Sequence, residues 1–417
     1  MNSLSISRRT ALQGLGALTA IPLLGANQRK PLPIAAVVTE YRRNSHADVI
    51  IGKILEGWRQ DGGDGPELRV ASMFTDQVPV ADMSRGLAKK HGVPIVKTIE
   101  EAITLGTGKV QVAGVLSIGE HGKYPYTPDT KQHMYPRRRF FDGITAAFKK
   151  AGKVVPVFND KHLAYAWKDA KHMYDTARAM KIPFMAGSSL PVTWRLPATE
   201  MPMGSEVEAA VGIGYGGLES YGFHSLETLQ CVLERRRGGE IGVKRVTLAS
   251  GEAIWAARKK GYWSMDLLRA ALKSAGKELP EAELKKRIMA RGKFMLLDYR
   301  DGLKATVAML NGISDQFATA VKLRGQAKPF VNWFWLQDGK PYGHFIHLTR
   351  AIEHMVHTGQ PAYPVERTLL TTGILDRVMH SAMLNGKSFD TPELAIKYKP
   401  ADWAFANLNG KFPLPKK

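Results

Sequence analysis

The hydrophobic positions of the chain fall into two textures. Up to about residue 190, short continuous apolar runs alternate with stretches whose apolar residues recur at helical spacing. Ile34 to Val38 is the first run, and His46 to Arg59 then places Ile50, Ile51, Ile54, Leu55 and Trp58 on one helical face. Ser45 with Asp48 three residues on marks that helix start. Strand and helix recur at Leu68 to Phe74 with Met83 to His91, and at Val110 to Ile118 with Arg139 to Lys149. In the segment Val154 to Arg195, Val154, Val155, Val157 and Phe158 predict a strand. Ala166, Ala170, Met173, Ala177 and Met180 predict a helix, and Ile182 to Ala186 a second strand. Such alternation predicts a doubly wound parallel sheet.

Past Trp194 the pattern changes. Gly212, Gly214, Gly216 and Gly217 precede a helix from about His224 to Arg237, and five β-like runs follow: Val243 to Ala249, Phe294 to Tyr299, Lys304 to Leu310, Phe317 to Leu323 and Val331 to Leu336. Asp301-Gly302 and Asn311-Gly312 read as tight turns between consecutive strands, which predicts an α+β domain with a large open, mostly antiparallel sheet. Helices near Leu348 to His357 and Val365 to Leu384 close the chain. The expected organisation is a first domain over 28–192 and a second over 193–417.

Met1 to Asn27 is set apart from both. Arg8-Arg9 ahead of a short Gly/Ala/Leu stretch resembles a twin-arginine export signal, which implies a periplasmic or otherwise exported protein. No other segment is long and apolar enough to span a bilayer. The single cysteine, Cys231, excludes an internal disulfide and any multi-cysteine metal site. The net charge of +21 raises the question of nucleic acid, but the basic residues are scattered and export argues against it. The triplets Arg137-Arg138-Arg139 and Arg235-Arg236-Arg237 read as solvated surface.

In open parallel sheets ligands sit at the carboxyl ends of the strands, where loops and helix N-termini leave backbone N–H groups free. Asn159-Asp160-Lys161-His162 ends one predicted strand, and Gly119-Glu120-His121-Gly122 ends another. Both are candidates for lining a pocket, against the plainer alternative of a polar cap and a solvated turn. Glu40, His46, Asp160, His162 and His121 carry metal-compatible groups, but their spacing supports no metal site. Asn332-Trp333-Phe334-Trp335 reads as a strand with alternating buried faces.

Three stretches resemble the glucose-fructose oxidoreductase and inositol dehydrogenase (Gfo/Idh/MocA) family. Lys89 to Pro94 with Ile99 to Ile103 is similar to its second-helix-and-strand segment. Pro156 to His162 is similar to its Glu-Lys-Pro strand end, with Lys161 on the lysine, and Tyr221 to Glu227 to its histidine-bearing helix start, with His224 on the histidine. The resemblance implies a nucleotide-binding (Rossmann-like) domain followed by an α+β substrate domain, and oxidation of a sugar or polyol hydroxyl with NAD or NADP. It also implies pairing of subunits through the open sheet, hence a homo-oligomer. His224 is then the expected base and Lys161 the ammonium that stabilises the developing oxyanion. Asp160 flanks Lys161, and Glu227 or Glu219 would orient His224. Cofactor contacts are expected at Thr39, Glu40, Arg42, Arg43, Asp76, Ser117, His121 and Asn159.

Two departures bear on this. Where the family carries Gly-x-Gly-x-x-Gly, which lets the backbone approach a pyrophosphate, this chain has Val38, Glu40 and Arg43. Ser220 and Glu227 stand where aspartates flank the histidine, and Asp160 and His162 where Glu and Pro flank the lysine. The alternative expectation is therefore a protein that has lost dinucleotide binding and acts as a cofactor-independent lyase or isomerase, or binds sugar without catalysis.

Overall fold

The computed structural model describes residues 30–406, so the export-signal reading of residues 1–27 lies outside the described residues. The first sheet has six strands: β1 (Leu32–Val38), β2 (Leu68–Thr75), β3 (Ile95–Val96), β4 (Gly114–Ile118), β5 (Val157–Asp160) and β6 (Phe184–Gly187). They run parallel in the order β3-β2-β1-β4-β5-β6. Helices α1 (His46–Glu56), α2 (Ser84–His91), α3 (Ile99–Thr104), α4 (Arg137–Ala151) and α5 (Trp167–Ala179) connect them. A strand covered on both faces must be apolar at every position, and β1 is. Ile34, Ala36 and Val38 enter one core with α1, while Ala35 and Val37 enter the other with α4 and α5. The strand order reverses between β1 and β4, so a crevice opens at their carboxyl ends.

The second sheet has eight strands: β7 (Trp194–Leu196), β8 (Val207–Gly214), β9 (Val243–Ser250), β10 (Lys293–Tyr299), β11 (Lys304–Met309), β12 (Phe317–Leu323), β13 (Phe330–Trp335) and β14 (Phe389–Asp390). Their order is β14-β9-β10-β11-β8-β12-β13-β7, with every pair antiparallel except β11 and β8. Asp301-Gly302 joins β10 to its neighbour β11, as expected. Asn311-Gly312 does not make a hairpin, because β8 inserts between β11 and β12.

One face of this sheet packs on α6 (Ser220–Leu233) and α11 (Val365–Met383). The other is covered by α8 (Met265–Ser274), one of three helices that the sequence analysis missed, with α7 (Glu252–Lys259) and α9 (Glu281–Arg291). Leu267, Leu268, Ala271 and Leu272 of α8 lie on Val211, Ile213, Ala318 and Ala320. This face of the open sheet is thus covered by the chain's own helix. α10 (Gly343–Thr358) departs from the expected division too: its Leu348, Ile352 and Met355 join the core of the first sheet beside α1. α11 touches α5 and β6 on one side and α6 and β9 on the other, which ties the two sheets together.

Gly187 ends β6 with φ +131°, and a Cβ there would stand 2.7 Å from Glu227 Oε2 and 2.8 Å from Thr368 Oγ1. Gly187→Ala therefore combines backbone strain with a clash against a buried carboxylate. A loss of about 1–3 kcal/mol is expected, measured as a lower urea midpoint at unchanged slope.

Candidate functional site

The carboxyl ends of β1, β4, β5 and β6 converge on the N-terminus of α6. Lys161 follows β5 in a left-handed backbone conformation (φ +67°), with its N–H donating to the Gly187 carbonyl at 3.1 Å. Few non-glycine residues adopt that region, and the strained lysine sits where functional residues concentrate. Its ammonium is buried, 3.5 Å from Glu120 Oε1 and 3.4 Å from the Ser220 carbonyl oxygen. Both contacts are long, so the Lys161 ammonium retains capacity for another acceptor.

Glu120 also accepts from Arg137 Nη2, and Arg137 Nη1 donates to His162 Nε2 at 3.1 Å. Burial alone would raise the Glu120 pKa, but the charges of Lys161 and Arg137 overcome it and hold the carboxyl well below its usual range. Arg137 itself is fully buried, which corrects the reading of its triplet as solvated; Arg235 and Arg236 are buried as well.

His224 lies half-buried one turn into α6, with Nδ1 2.6 Å from Ser188 Oγ. The orienting contact therefore comes from Ser188, just past β6. Glu227 makes no direct bond to His224, accepting from Thr371 Oγ1 at 2.7 Å, from Thr368 Oγ1 at 3.3 Å and from the Ser188 N–H at 3.5 Å. Glu219 accepts the His133 N–H with both oxygens, at 3.0 and 2.9 Å, and burial pushes its carboxyl up to about 7. Burial first, and the Lys161 charge second, hold His224 well below its ordinary pKa. At neutral pH the imidazole is uncharged and keeps a lone pair.

The turn between β1 and α1 carries side chains throughout. Thr39 Oγ1 donates to the Glu120 carbonyl at 2.6 Å, tying the ends of β1 and β4. Glu40 is buried and accepts from Arg42 Nε at 2.5 Å, while Arg42 Nη2 reaches His121 Nδ1 at 3.3 Å. Arg43 is exposed and Ser45 caps α1, as expected. Asp160 is taken by His46, whose Nδ1 lies 2.7 Å from Oδ2. Asp76, just past β2, accepts from Tyr124 Oη at 2.7 Å and Arg139 Nη2 at 2.6 Å. Glu40, His46, Asp160, His162 and His121 do not bring three ligand atoms within 4.8 Å of one another.

Whether a dinucleotide suits this crevice is decided by what the crevice leaves unmet. Ser117 Oγ, His121 Nε2, Asn159 Oδ1 and His162 Nδ1 are buried with no hydrogen-bond partner among the described residues. Arg42 donates to His121 Nδ1 and Arg137 to His162 Nε2, so the unmet nitrogens are N–H donors. An unmet buried polar group costs roughly 1–3 kcal/mol, which a bound polar ligand relieves. The Glu40 charge is offset by Arg42, the exposed Arg43 supplies a cation for phosphate, and Asp76 stands at the end of β2, where a ribose hydroxyl would be met. The donor set therefore fits the group, although the glycine turn is absent.

No family model matches the chain, and no curated protein matches it in sequence. Solved structures do share its fold. GenD2 of gentamicin A biosynthesis, in complex with NAD, is 13% identical at a TM-score of 0.54, covering 88% of this chain and 98% of its own. An oxidoreductase from Agrobacterium radiobacter, in complex with NAD+, L-tartaric acid and magnesium, is 13% identical at 0.51, covering 87% and 98%. The apo scyllo-inositol dehydrogenase of Lactobacillus casei is 10% identical at 0.50, covering 87% and 98%. At these identities the likeness is one of fold: a parallel, doubly wound sheet followed by a mixed sheet, over 87–88% of this chain and 98% of each of the three.

Proposed function

We propose that the chain is a divergent, exported member of the Gfo/Idh/MocA family that oxidises a hydroxyl of a sugar or polyol with NAD or NADP. The observation that carries this reading is the placement of Lys161, Glu120 and His224 where the strand ends of the first sheet meet α6 of the second. The neutral His224 imidazole takes the proton of the substrate hydroxyl, held in place by Ser188. Lys161 donates a hydrogen bond to the same oxygen and stabilises its negative charge, with Glu120 fixing the ammonium from behind. Thr39, Arg42, Arg43, Asp76, Ser117, His121 and Asn159 would hold the dinucleotide, whose nicotinamide supplies hydride acceptance when bound. The decisive experiment is titration of the purified protein with NAD+ and NADP+ by calorimetry, with a sugar and polyol panel followed by nicotinamide absorbance. Binding with turnover on one substrate class supports the reading, and no binding of either dinucleotide overturns it.

Glu40 favours a second reading, a cofactor-independent lyase, isomerase or sugar-binding protein, and the same titration separates the two. Glu40→Gly removes a carboxylate from the path of the diphosphate and frees Arg42 to grip it. NAD(P) affinity is expected to rise by about 1 to 2 kcal/mol, the scale of one relieved like-charge contact. Dinucleotide binding by neither protein would favour the second reading.

A further inference from the structure

We propose that Glu67, Glu353 and His357 form a site for one divalent transition-metal ion, with zinc the ion that suits their donors. Glu67 immediately precedes β2, and Glu353 and His357 stand four residues apart on α10, hence on one face of that helix. One carboxylate oxygen from each glutamate and one ring nitrogen of His357 lie within 4.8 Å of one another, and all three residues are half-buried. This cluster lies at the amino-terminal end of the first sheet, opposite the strand ends that carry Lys161, so it plays no part in the proposed chemistry.

The surroundings of the three side chains point to a ligand. A dication between the Glu67 and Glu353 carboxylates is attracted by both. His357 Nε2 lies 2.9 Å from the Glu67 carbonyl oxygen, which can only accept. The ring proton is thereby fixed on Nε2 and the lone pair left on Nδ1, the arrangement that backbone carbonyls impose on metal-ligating histidines. Glu353 Oε1 accepts the Glu67 N–H, so the backbone of Glu67 braces both partners on α10. The site also sits in the last turns of α10, where the free carbonyls of the helix end favour a cation.

Imidazole with two carboxylates is a donor set zinc accepts in four-coordinate geometry, with water in the fourth place. Ligand bonds of about 2 Å require the three atoms to stand roughly 3.3 Å apart, a shift of at most about 1.5 Å that half-buried side chains make by rotamer adjustment. An ion here would rivet β2 to α10, the helix that returns from the second sheet to the core of the first.

The test uses the tag-free full chain, stripped with EDTA and titrated with zinc chloride by calorimetry, followed by thermal melting with and without one equivalent of zinc. One ion per chain and a raised Tm are expected. Glu353→Gln and His357→Ala should each weaken zinc at least about tenfold and remove the Tm rise, with far-UV circular dichroism unchanged. His357→Asn replaces the alanine variant if that one misfolds. Equal zinc binding by wild type and variants would assign it to scattered surface histidines and overturn the proposal, as would no stoichiometric binding by the wild type.

Discussion

Lys161→Ala is expected to lower turnover of the accepted sugar or polyol by about 10² or more, because the ammonium it removes faces the oxygen on which charge develops. Two side effects accompany the change: Glu120 loses one of its two cations, and alanine must still occupy φ +67°. Lys161→Gly separates them. Glycine adopts that backbone readily, so this variant should regain about 1 kcal/mol of stability over Lys161→Ala while turnover stays equally low. His224→Ala should cost a comparable factor in turnover with little change in Tm, since the side chain is half-buried and bonds only Ser188. The pH profile identifies its part. The pKa of His224 is held below its ordinary 6.5, so the acid limb of kcat/KM that it controls lies below pH 6.5, with activity rising as pH climbs through the depressed value. Loss of that limb in His224→Ala is the signature of a base; full turnover by Lys161→Ala would remove the lysine from the mechanism.

The first sheet was legible because strands buried on both faces are apolar nearly throughout: Ile34 to Val38 and Val157 to Phe158 read as uninterrupted runs, and Val115 to Ile118 is broken only by Ser117. The order of the second sheet was not, because the pairing of β8 with β11 and β12 joins residues about a hundred apart, and no local signal specifies it. Helix α8 was within reach. Ser264 caps it by accepting the Leu267 N–H, and Leu267, Leu268, Ala271 and Leu272 recur at helical spacing within the segment left unassigned between Val243–Ala249 and Phe294–Tyr299. At the site, Lys161 and Glu120 were singled out as pocket-lining candidates from their places at strand ends, while His224 and the role of Lys161 came from resemblance. Arg137 was missed for a physical reason. A triple arginine looks solvated, although position 137 shares the apolar face of α4 with Phe140, Phe141, Ile144 and Phe148, and that periodicity was the available signal. Ser188 carried no signal beyond following an apolar run.

Arg137 carries the largest stability effect expected of one residue. Its fully buried guanidinium bonds the Glu120 carboxylate and His162 Nε2, and stacks over the Tyr135 ring at 5.0 Å. Arg137→Ala leaves Glu120 buried with Lys161 as its one cation at 3.5 Å, and strips His162 Nε2 of its donor. Removing one partner of a buried pair costs about 3–5 kcal/mol, much of it the penalty on the charge left behind. The pH dependence follows the sign of the Glu120 shift. In the wild type its pKa is held below the usual 4.5, so the pair's contribution is complete above pH 4.5 and is lost as pH falls through the depressed value. With Arg137 gone, burial is opposed by Lys161 and, more weakly, by His46 and His121, the carboxyl titrates higher, and the acid limb of the stability curve moves up with it. Urea midpoints of wild type and Arg137→Ala across pH 4 to 8 read both effects. A loss below about 1 kcal/mol, or acid limbs that coincide, would mean that the other nearby cationic groups, Lys161 first among them, hold the Glu120 charge and that Arg137 only fills space under the site.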